Sequence, residues 1–117
     1  MSYIRYKNNN LFVENVSVRR LASKLSTPFY LYSEGNIIEN YKSFSNNFKK
    51  SKPLICFSVK ANSNIQILKV LKKMGSGADV VSGGELLKAI KSGIKPNKIV
   101  RCFASNNIPT NTSRLGK

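Results

Sequence analysis

Apolar residues recur every three or four positions in several parts of this chain, and this spacing is typical of amphipathic helices. It predicts four helices, from Ser17 as N-cap to about residue 25, and over about residues 35–48, 64–74 and 85–92. Gly75 and Gly93 follow the last two helices, where glycine commonly ends a helix. The chain is therefore predicted to contain several short helices separated by clear breaks.

Short apolar runs between these helices predict strands near residues 11–13 and over 27–33, 53–59, 78–81 and 98–103. The nearly continuous run "PLICFSV" at 53–59 is typical of a parallel strand buried on both faces. From Pro53 onward the order is strand, helix, strand, helix, strand, which indicates βαβ units. An open doubly wound sheet and a closed (β/α)₈ barrel share this order, and the spacing does not choose between them.

The charge and cysteine content change this picture little. The formal net charge is +15 with no histidine, but the basic residues are scattered and no zinc-finger, basic-zipper or RNA-recognition pattern occurs. Specific nucleic-acid binding is therefore not indicated, and nonspecific affinity for polyanions is expected as a side effect. Cys56 and Cys102 are too far apart for a CxxC motif, so no metal site is expected. Since the N-terminus "MSYIRYKNNNLF" lacks a continuous apolar segment, we expect no signal peptide, no membrane span and a cytoplasmic protein.

The stretch "FSVKANSN" places Lys60 where a buried strand ends and a helix approaches. Side chains alternate along a strand, and here one set of positions is apolar while the other becomes small and polar. The two sets are Ile55, Phe57 and Val59, and Leu54, Cys56 and Ser58 on the side of Lys60. Ligands collect at the carboxyl ends of parallel strands. From its position, Lys60 could be a Schiff-base lysine, a phosphate-binding lysine or a solvated one.

The stretch "GSGADVVSGGEL" at 75–86 fits neither the dinucleotide-binding nor the P-loop motif. Its glycines suit helix ends and turns. Asp79, one of only five acids in the chain, lies within the strand that follows Lys60. A carboxylate there needs a cationic or hydrogen-bonding partner, unless it faces water at the strand end. Glu85 falls in the first turn of a helix, where an acid favours the helix dipole.

Three stretches in this order and spacing, "TPFYLYS", "FSVKANSN" and "GSGADVVSGGEL", resemble the diaminopimelate decarboxylase family over about residues 17–100. This family belongs to the alanine-racemase-like, fold-type III enzymes that use pyridoxal 5'-phosphate (PLP). The resemblance implies an α/β fold, a partial (β/α)₈ TIM barrel made of its first few βα units. It also implies that residues 1–33 belong to the family's β-domain, that 34–103 begin the barrel, and that 104–117 are an unmatched tail.

The resemblance further implies that Lys60 binds PLP covalently and that Asp79 lies beside the lysine and the cofactor. Asn62 and Ser82 fall in the same motifs and are further candidates for cofactor binding. The implied reaction is decarboxylation of meso-2,6-diaminopimelate to L-lysine, the last step of lysine biosynthesis, in a homodimer with a shared active site. The alternatives are another fold-type III decarboxylase or racemase, and a non-catalytic basic protein that binds polyanions.

The chain also departs from the family. The family's glycine-rich phosphate-binding loop, its glutamate for the pyridine nitrogen, and its late Cys and Tyr have no counterpart here. The tail "ASNNIPTNTSRLGK" shows no match to the eye, and the simplest interpretation is a reading frame truncated or shifted from about Arg101. A partial barrel has open sheet edges. We therefore expect marginal stability and no decarboxylase activity from this polypeptide alone.

Overall fold

The structure is a computed structural model that describes residues 3–101, so the predicted tail at 104–117 lies outside the described residues. The chain divides into two compact units, Met1–Ser51 and Lys52–Lys117. We call their described parts the first unit, residues 3–51, and the second unit, residues 52–101. Within residues 3–101, no helix is long and apolar enough to cross a bilayer.

The first unit begins with a small antiparallel sheet in the order β1-β2-β3. Its strands are β1 (Ile4–Lys7), β2 (Asn10–Val13) and β3 (Val16–Ser17). Asn8 and Asn9 connect β1 to β2 with φ angles of 48° and 58°. Positive φ at both central residues suits a tight two-residue hairpin, and asparagine tolerates it better than most residues. The strand predicted near residues 11–13 is confirmed as β2.

Two helices follow in the first unit, α1 (Val18–Ala22) and α2 (Glu34–Asn46). Ser17 begins α1 as predicted, because its hydroxyl accepts a hydrogen bond from the backbone N–H of Arg20 at 3.4 Å. Ser33 begins α2 in the same way, accepting from the N–H of Asn36 at 3.0 Å. The helix predicted over 35–48 is thus confirmed, and α1 ends a few residues earlier than predicted.

The strand predicted over 27–33 is wrong. Thr27 to Ser33 form no strand and pair with none of the strands found in residues 3–101. The side chain of Tyr30 is 90% exposed, and Tyr30 stacks on Tyr32 with ring centroids 6.4 Å apart. A β-rich aromatic composition favours a strand only where a neighbouring strand supplies hydrogen bonds and packing.

The second unit contains a three-stranded parallel sheet in the order β4-β5-β6, with the predicted alternation of strands and helices. Its elements are β4 (Cys56–Ser58), a 3₁₀ turn (Val59–Ala61), α3 (Ile65–Lys73), β5 (Gly77–Val80), α4 (Gly83–Lys91), a second 3₁₀ turn (Pro96–Lys98) and β6 (Ile99–Arg101). The three predicted strands and two predicted helices are confirmed. The first strand is shorter than predicted and ends at Ser58.

Both helices of the second unit begin and end with strong local signals. The Asn64 side chain accepts a hydrogen bond from the N–H of Gln66 at 2.9 Å and so caps α3. After each helix, a glycine adopts a positive φ, 91° at Gly75 and 88° at Gly93. These conformations are costly for residues with a Cβ atom, which explains why glycine ends each helix.

The core of the second unit lies where the sheet meets its helices. Its buried members come from strands, turns and helices alike: Val59, Leu68, Ala78, Val80, Ala89 and Ile94. Phe57 and Ile99 pack against this cluster from the flanking strands. The apolar face predicted from alternation, with Phe57 and Val59, is therefore the covered one.

Candidate active site

Lys60 lies directly after β4, in the 3₁₀ turn Val59–Ala61. Its neighbour Val59 is fully buried in the core, whereas Lys60 itself is exposed. Because β4 ends at Ser58, the alternation argument that placed Lys60 on the side of Cys56 extends across a turn and does not apply to Lys60 itself. Its position at the carboxyl end of a parallel strand is nonetheless the one predicted.

Asp79 lies in the neighbouring strand β5 and is half-buried. Its partners across the ladders are Ser58 in β4 and Val100 in β6. Directly paired residues project from the same face of a sheet, so Asp79 and Ser58 share the face opposite the helix-covered core. Lys60 follows Ser58 by two residues. The structure thus brings Lys60 and Asp79 to the same end of adjacent strands.

Cys56 lies on the same face of the sheet as Asp79, and the pKa of its thiol is affected by the charge of Asp79. Burial raises the pKa of the Cys56 thiol, and the nearby negative charge of Asp79 raises this pKa further. The thiol donates a long hydrogen bond to the Lys98 carbonyl, with 3.9 Å between Sγ and O. A thiol with a raised pKa stays protonated at neutral pH and is a poor nucleophile. Cys56 is thus a half-buried free thiol of low reactivity.

Gly77 lies two residues before Asp79 in β5, and its neighbours leave no room for a side chain. A Cβ atom at Gly77 would overlap the Lys98 carbonyl oxygen and would lie 2.7 Å from Cys56 Sγ. No larger residue fits without shifting one of these neighbours. Asp79 and Lys60 lie beyond Gly77, toward the carboxyl ends of the strands.

The other two candidates, Asn62 and Ser82, follow β4 and β5 respectively and so lie at the same end of the sheet. Asn62 Oδ1 accepts a hydrogen bond from the N–H of Asn64 at 3.0 Å. Ser82 Oγ accepts from the N–H of Glu85 at 3.2 Å and caps α4. Both oxygens already support the backbone, but the Asn62 amide hydrogens and the Ser82 hydroxyl hydrogen can still be donated.

Glu85 completes the cap of α4. Its Oε2 accepts a hydrogen bond from the N–H of Val81 at 2.8 Å, while Ser82 accepts from the N–H of Glu85. This reciprocal arrangement resembles a capping box and satisfies two backbone donors at the start of the helix. The ordinary structural role expected for Glu85 is confirmed.

The family model for the pyridoxal-dependent decarboxylases, pyridoxal binding domain, matches residues 34–114. The chain therefore belongs to the pyridoxal-dependent decarboxylase family. The match contains Lys60, Asp79, Asn62 and Ser82. It also includes most of the 104–117 tail that sequence inspection left unmatched. The cofactor expected from the resemblance, PLP, is confirmed at the level of this family.

A curated relative and two solved structures illustrate the similarity. The chain is 45% identical over 98 residues to the diaminopimelate decarboxylase of Aquifex aeolicus (strain VF5), which covers 84% of this chain and 23% of the relative. Diaminopimelate decarboxylase from M. jannaschii in co-complex with L-lysine has a TM-score of 0.74 and 36% identity, covering 84% of this chain and 24% of that one. SrLDC in complex with PLP and cadaverine has a TM-score of 0.67 and 26% identity, covering 87% and 26% respectively.

These similarities confirm the fold class and the recognised family. The second unit consists of the first βα units of the barrel predicted from the sequence. The chain spans about a quarter of the length of the curated relatives that it matches. Activity, substrates and partners of a complete enzyme are therefore addressed below as proposals.

The residues present fit part of the cofactor. An exposed primary amine at Lys60 suits an aldehyde, and a half-buried carboxylate at Asp79 suits a cationic group. Ser58 was not singled out from the sequence, although its register with Asp79 places it between the two strand ends. Its small size and its position two residues before Lys60 were visible, but its pairing with Asp79 depends on strand register, which the sequence does not show.

Proposed function

We propose that this chain is the N-terminal part of a PLP-dependent decarboxylase that converts meso-2,6-diaminopimelate to L-lysine and carbon dioxide, the last step of lysine biosynthesis. One observation carries the proposal. The Lys60 amine and the Asp79 carboxylate occupy the carboxyl ends of adjacent parallel strands, within a region that matches a pyridoxal binding domain. The curated relatives are named diaminopimelate decarboxylase, and a solved neighbour contains L-lysine.

Each candidate residue then has a separate role. Lys60 Nζ would hold the cofactor covalently, and as a free amine it can also carry a proton to or from the reacting carbon. When bound, PLP supplies an electron sink for the electrons released with carbon dioxide. The Asp79 carboxylate favours the charged form of a cation placed beside it. Asn62 and Ser82 would donate hydrogen bonds from the two loops at this end of the sheet.

The wider organisation follows from the same proposal. Residues 1–33 would belong to a β-domain and 34–103 would begin the barrel. A complete enzyme would bind a small amino-acid substrate and form a homodimer with a shared active site. The half-buried, reduced thiol of Cys56 is compatible with the cytoplasm, where thiols are kept reduced, and cell fractionation tests this location.

Site-specific labelling tests the role of Lys60. The full chain is incubated with substoichiometric PLP, reduced with borohydride and mapped by peptide mass spectrometry. We expect label on Lys60, loss of this label in Lys60→Ala, and retention in Lys69→Ala, which removes an exposed lysine from the middle of α3. Asp79→Asn should weaken labelling of Lys60. Label spread evenly over the lysines would contradict a specific cofactor site, since free PLP also reacts with exposed amines.

Reconstitution tests the reaction and its substrate. The chain is co-expressed with the remaining part of the Aquifex aeolicus relative, and decarboxylation of meso-2,6-diaminopimelate and of L-lysine is compared. We expect L-lysine to form from diaminopimelate, and activity to disappear in Lys60→Ala. We expect the chain without the added part to be inactive. Formation of cadaverine from L-lysine instead would assign the chain to the alternative decarboxylase, and robust activity of the chain alone would refute the need for a second part.

A further inference from the structure

Five lysines gather at the end of the second unit opposite Lys60 and Asp79. They are Lys72, Lys73, Lys91, Lys95 and Lys98, and we call this region the lysine end. Lys72 and Lys73 lie in the last turn of α3, and Lys91 lies in the last turn of α4. In βαβ units the helices run antiparallel to the strands, so both helix C-termini lie near the strands' amino ends.

The side chains of Lys72 and Lys98 connect the ends of the two helices. The Lys72 side chain extends toward the end of α4, with Cε 3.6 Å and Nζ 3.9 Å from the position of a Cβ at Gly93. Lys98 Nζ donates a hydrogen bond to the Gly75 carbonyl at 3.1 Å, just after α3. Lys95 lies in the short connection between Gly93 and Lys98. The ends of the two helices are thus linked by lysine side chains.

No acid accompanies these lysines. In the described second unit, residues 52–101, the only acids are Asp79 and Glu85. Asp79 lies near the carboxyl end of β5. Glu85 lies in the first turn of α4, at the end of that helix opposite Lys91. The described part of this unit is therefore polarised, with its acids at the candidate active site and five lysines at the opposite end.

Helix dipoles account for only part of this arrangement. Each helix C-terminus carries roughly half a negative charge, and lysines in the last turn are favourable for that reason. Two helix ends together offset about one of the five positive charges. Most of the positive charge at the lysine end therefore remains available to an anionic partner.

The chemistry of the surface selects the partner. Exposed large apolar side chains in residues 52–101 are Leu54, Leu87 and Val100. Leu54 precedes β4 and so lies at the amino ends of the strands, whereas Leu87 lies within α4 and Val100 within β6. The one aromatic residue of this range, Phe57, packs against the core. Within residues 52–101 this surface thus offers no aromatic platform for unstacked bases, and its single exposed leucine is a much smaller apolar anchor than the apolar face of a helix that binds a bilayer. Lysines alone suit regularly spaced phosphates.

We propose that the lysine end binds the sugar-phosphate backbone of double-stranded nucleic acid without reading its sequence. This inference is independent of the proposed enzymatic function, because it involves none of Lys60, Asp79, Asn62 or Ser82. Up to five phosphate contacts predict a slope of about −4 to −5 for log K against log salt concentration. Affinity for a short DNA duplex should then fall about a hundredfold between about 50 mM and about 150 mM salt.

Charge reversal tests the location of binding. Lys72→Glu/Lys95→Glu should make the salt slope shallower by about two, because each phosphate-contacting lysine contributes about one unit. Lys98 is left intact in this variant because its Nζ bonds to the Gly75 carbonyl. Lys49→Glu/Lys50→Glu is the matched control. It changes the net charge equally but alters two exposed residues of the first unit. Equal weakening of duplex binding by both variants would show a general charge effect and overturn the proposal.

A second measurement uses the unmodified chain and therefore does not depend on whether a variant folds. Lysine acetylation of the unmodified full chain is mapped by mass spectrometry with and without the duplex. We expect protection of Lys72, Lys91 and Lys95 and no protection of Lys49 and Lys50. Uniform protection would contradict a local site. Equal protection by vesicles of phosphatidylserine and phosphatidylcholine would assign the surface to anionic membranes and overturn the choice of nucleic acid.

Discussion

The two units of the chain hold their helices in place by different means. In the second unit, apolar residues from one strand, a turn, a loop and two helices form a buried core, with Val59 and Leu68 fully inaccessible. Among the described residues of the first unit, none is buried, and α2 is held at its start by polar contacts. Glu14 accepts hydrogen bonds there from the Ser33 hydroxyl at 2.6 Å and the Gly35 N–H at 2.8 Å.

The difference shows what a short βαβ segment can supply by itself. Two helices that return to the same face of a parallel sheet enclose apolar side chains within about 50 residues, and burial of these side chains is the main stabilising contribution. The small three-stranded sheet and two helices of the first unit bury no residue fully among residues 3–51. In the first unit, the partly buried hydrogen bonds to Glu14 hold the start of α2, and these bonds respond to pH.

Removing a core side chain should give the largest effect. Leu68→Ala deletes a fully buried side chain and should lower the free energy of unfolding by about 2–5 kcal/mol. Leu87→Ala, at a side chain that is 51% exposed on α4, should change it by less than about 0.5 kcal/mol. Denaturant unfolding followed by circular dichroism measures both. Similar losses in the two variants would mean that the core does not stabilise the second unit.

Adding a methyl group at Gly77 should have the next largest effect. Gly77→Ala introduces an atom that overlaps the Lys98 carbonyl, so the free energy of unfolding should fall by about 1–3 kcal/mol. Gly84→Ala is the matched control because a Cβ at Gly84 meets no atom within 4 Å. Gly84 lies in α4, and alanine there should stabilise the unit by about 0.4–1 kcal/mol. Opposite signs in thermal unfolding are expected, and the same sign for both would refute close packing at Gly77.

The smallest effect is expected in the first unit and depends on pH. Hydrogen bonds from Ser33 and then from Gly35 hold the pKa of Glu14 below its ordinary value. A lowered pKa in the folded state means that this stabilisation is present above the ordinary carboxyl pKa of about 4.3 and is lost as pH falls through the lowered value. The Gly35 amide resonance, followed by NMR during acid titration, should shift in that range.

Two variants sharpen the pH prediction. Glu14→Gln keeps an oxygen acceptor but removes the titration, so the acid-dependent shift of the Gly35 amide should disappear. Glu34→Gln removes a different carboxylate in the first turn of α2 and should leave that shift in place. Persistence of the shift in Glu14→Gln would show that another group controls the start of this helix.

The sequence predicted the second unit well because its signals are local. Helical spacing, Asn64 as a cap and the glycines after each helix act within a few residues, and the alternation of strands and helices follows from them. The first unit was predicted less completely. The turn at Asn8 and Asn9, the pairing of β1 with β2 and the unpaired state of residues 27–33 were not predicted, because they depend on which neighbours are available.

The candidate site was predictable in part for the same reason. The position of Lys60 at a strand end followed from the apolar run before it, and Asp79 was notable as a rare acid in a strand. Their proximity depends on the register of Ser58 with Asp79, which is set by packing of whole strands rather than by nearby residues. The hydrogen bonds accepted by Asn62 and Ser82 could not be predicted from the sequence either, since each depends on the backbone conformation after its strand.

The equal lengths of α3 and α4 have a consequence for how this segment tolerates insertions. Each helix contains nine residues and is followed by one capping residue and one glycine of positive φ. The connections that follow differ, since one residue separates Gly75 from β5 whereas five residues separate Gly93 from β6. One inserted residue would rotate the rest of a helix by about 100°, turn its apolar stripe away from the sheet and present the next strand out of phase. Insertions should be tolerated at the exposed residues 95–97 and rejected within the helices.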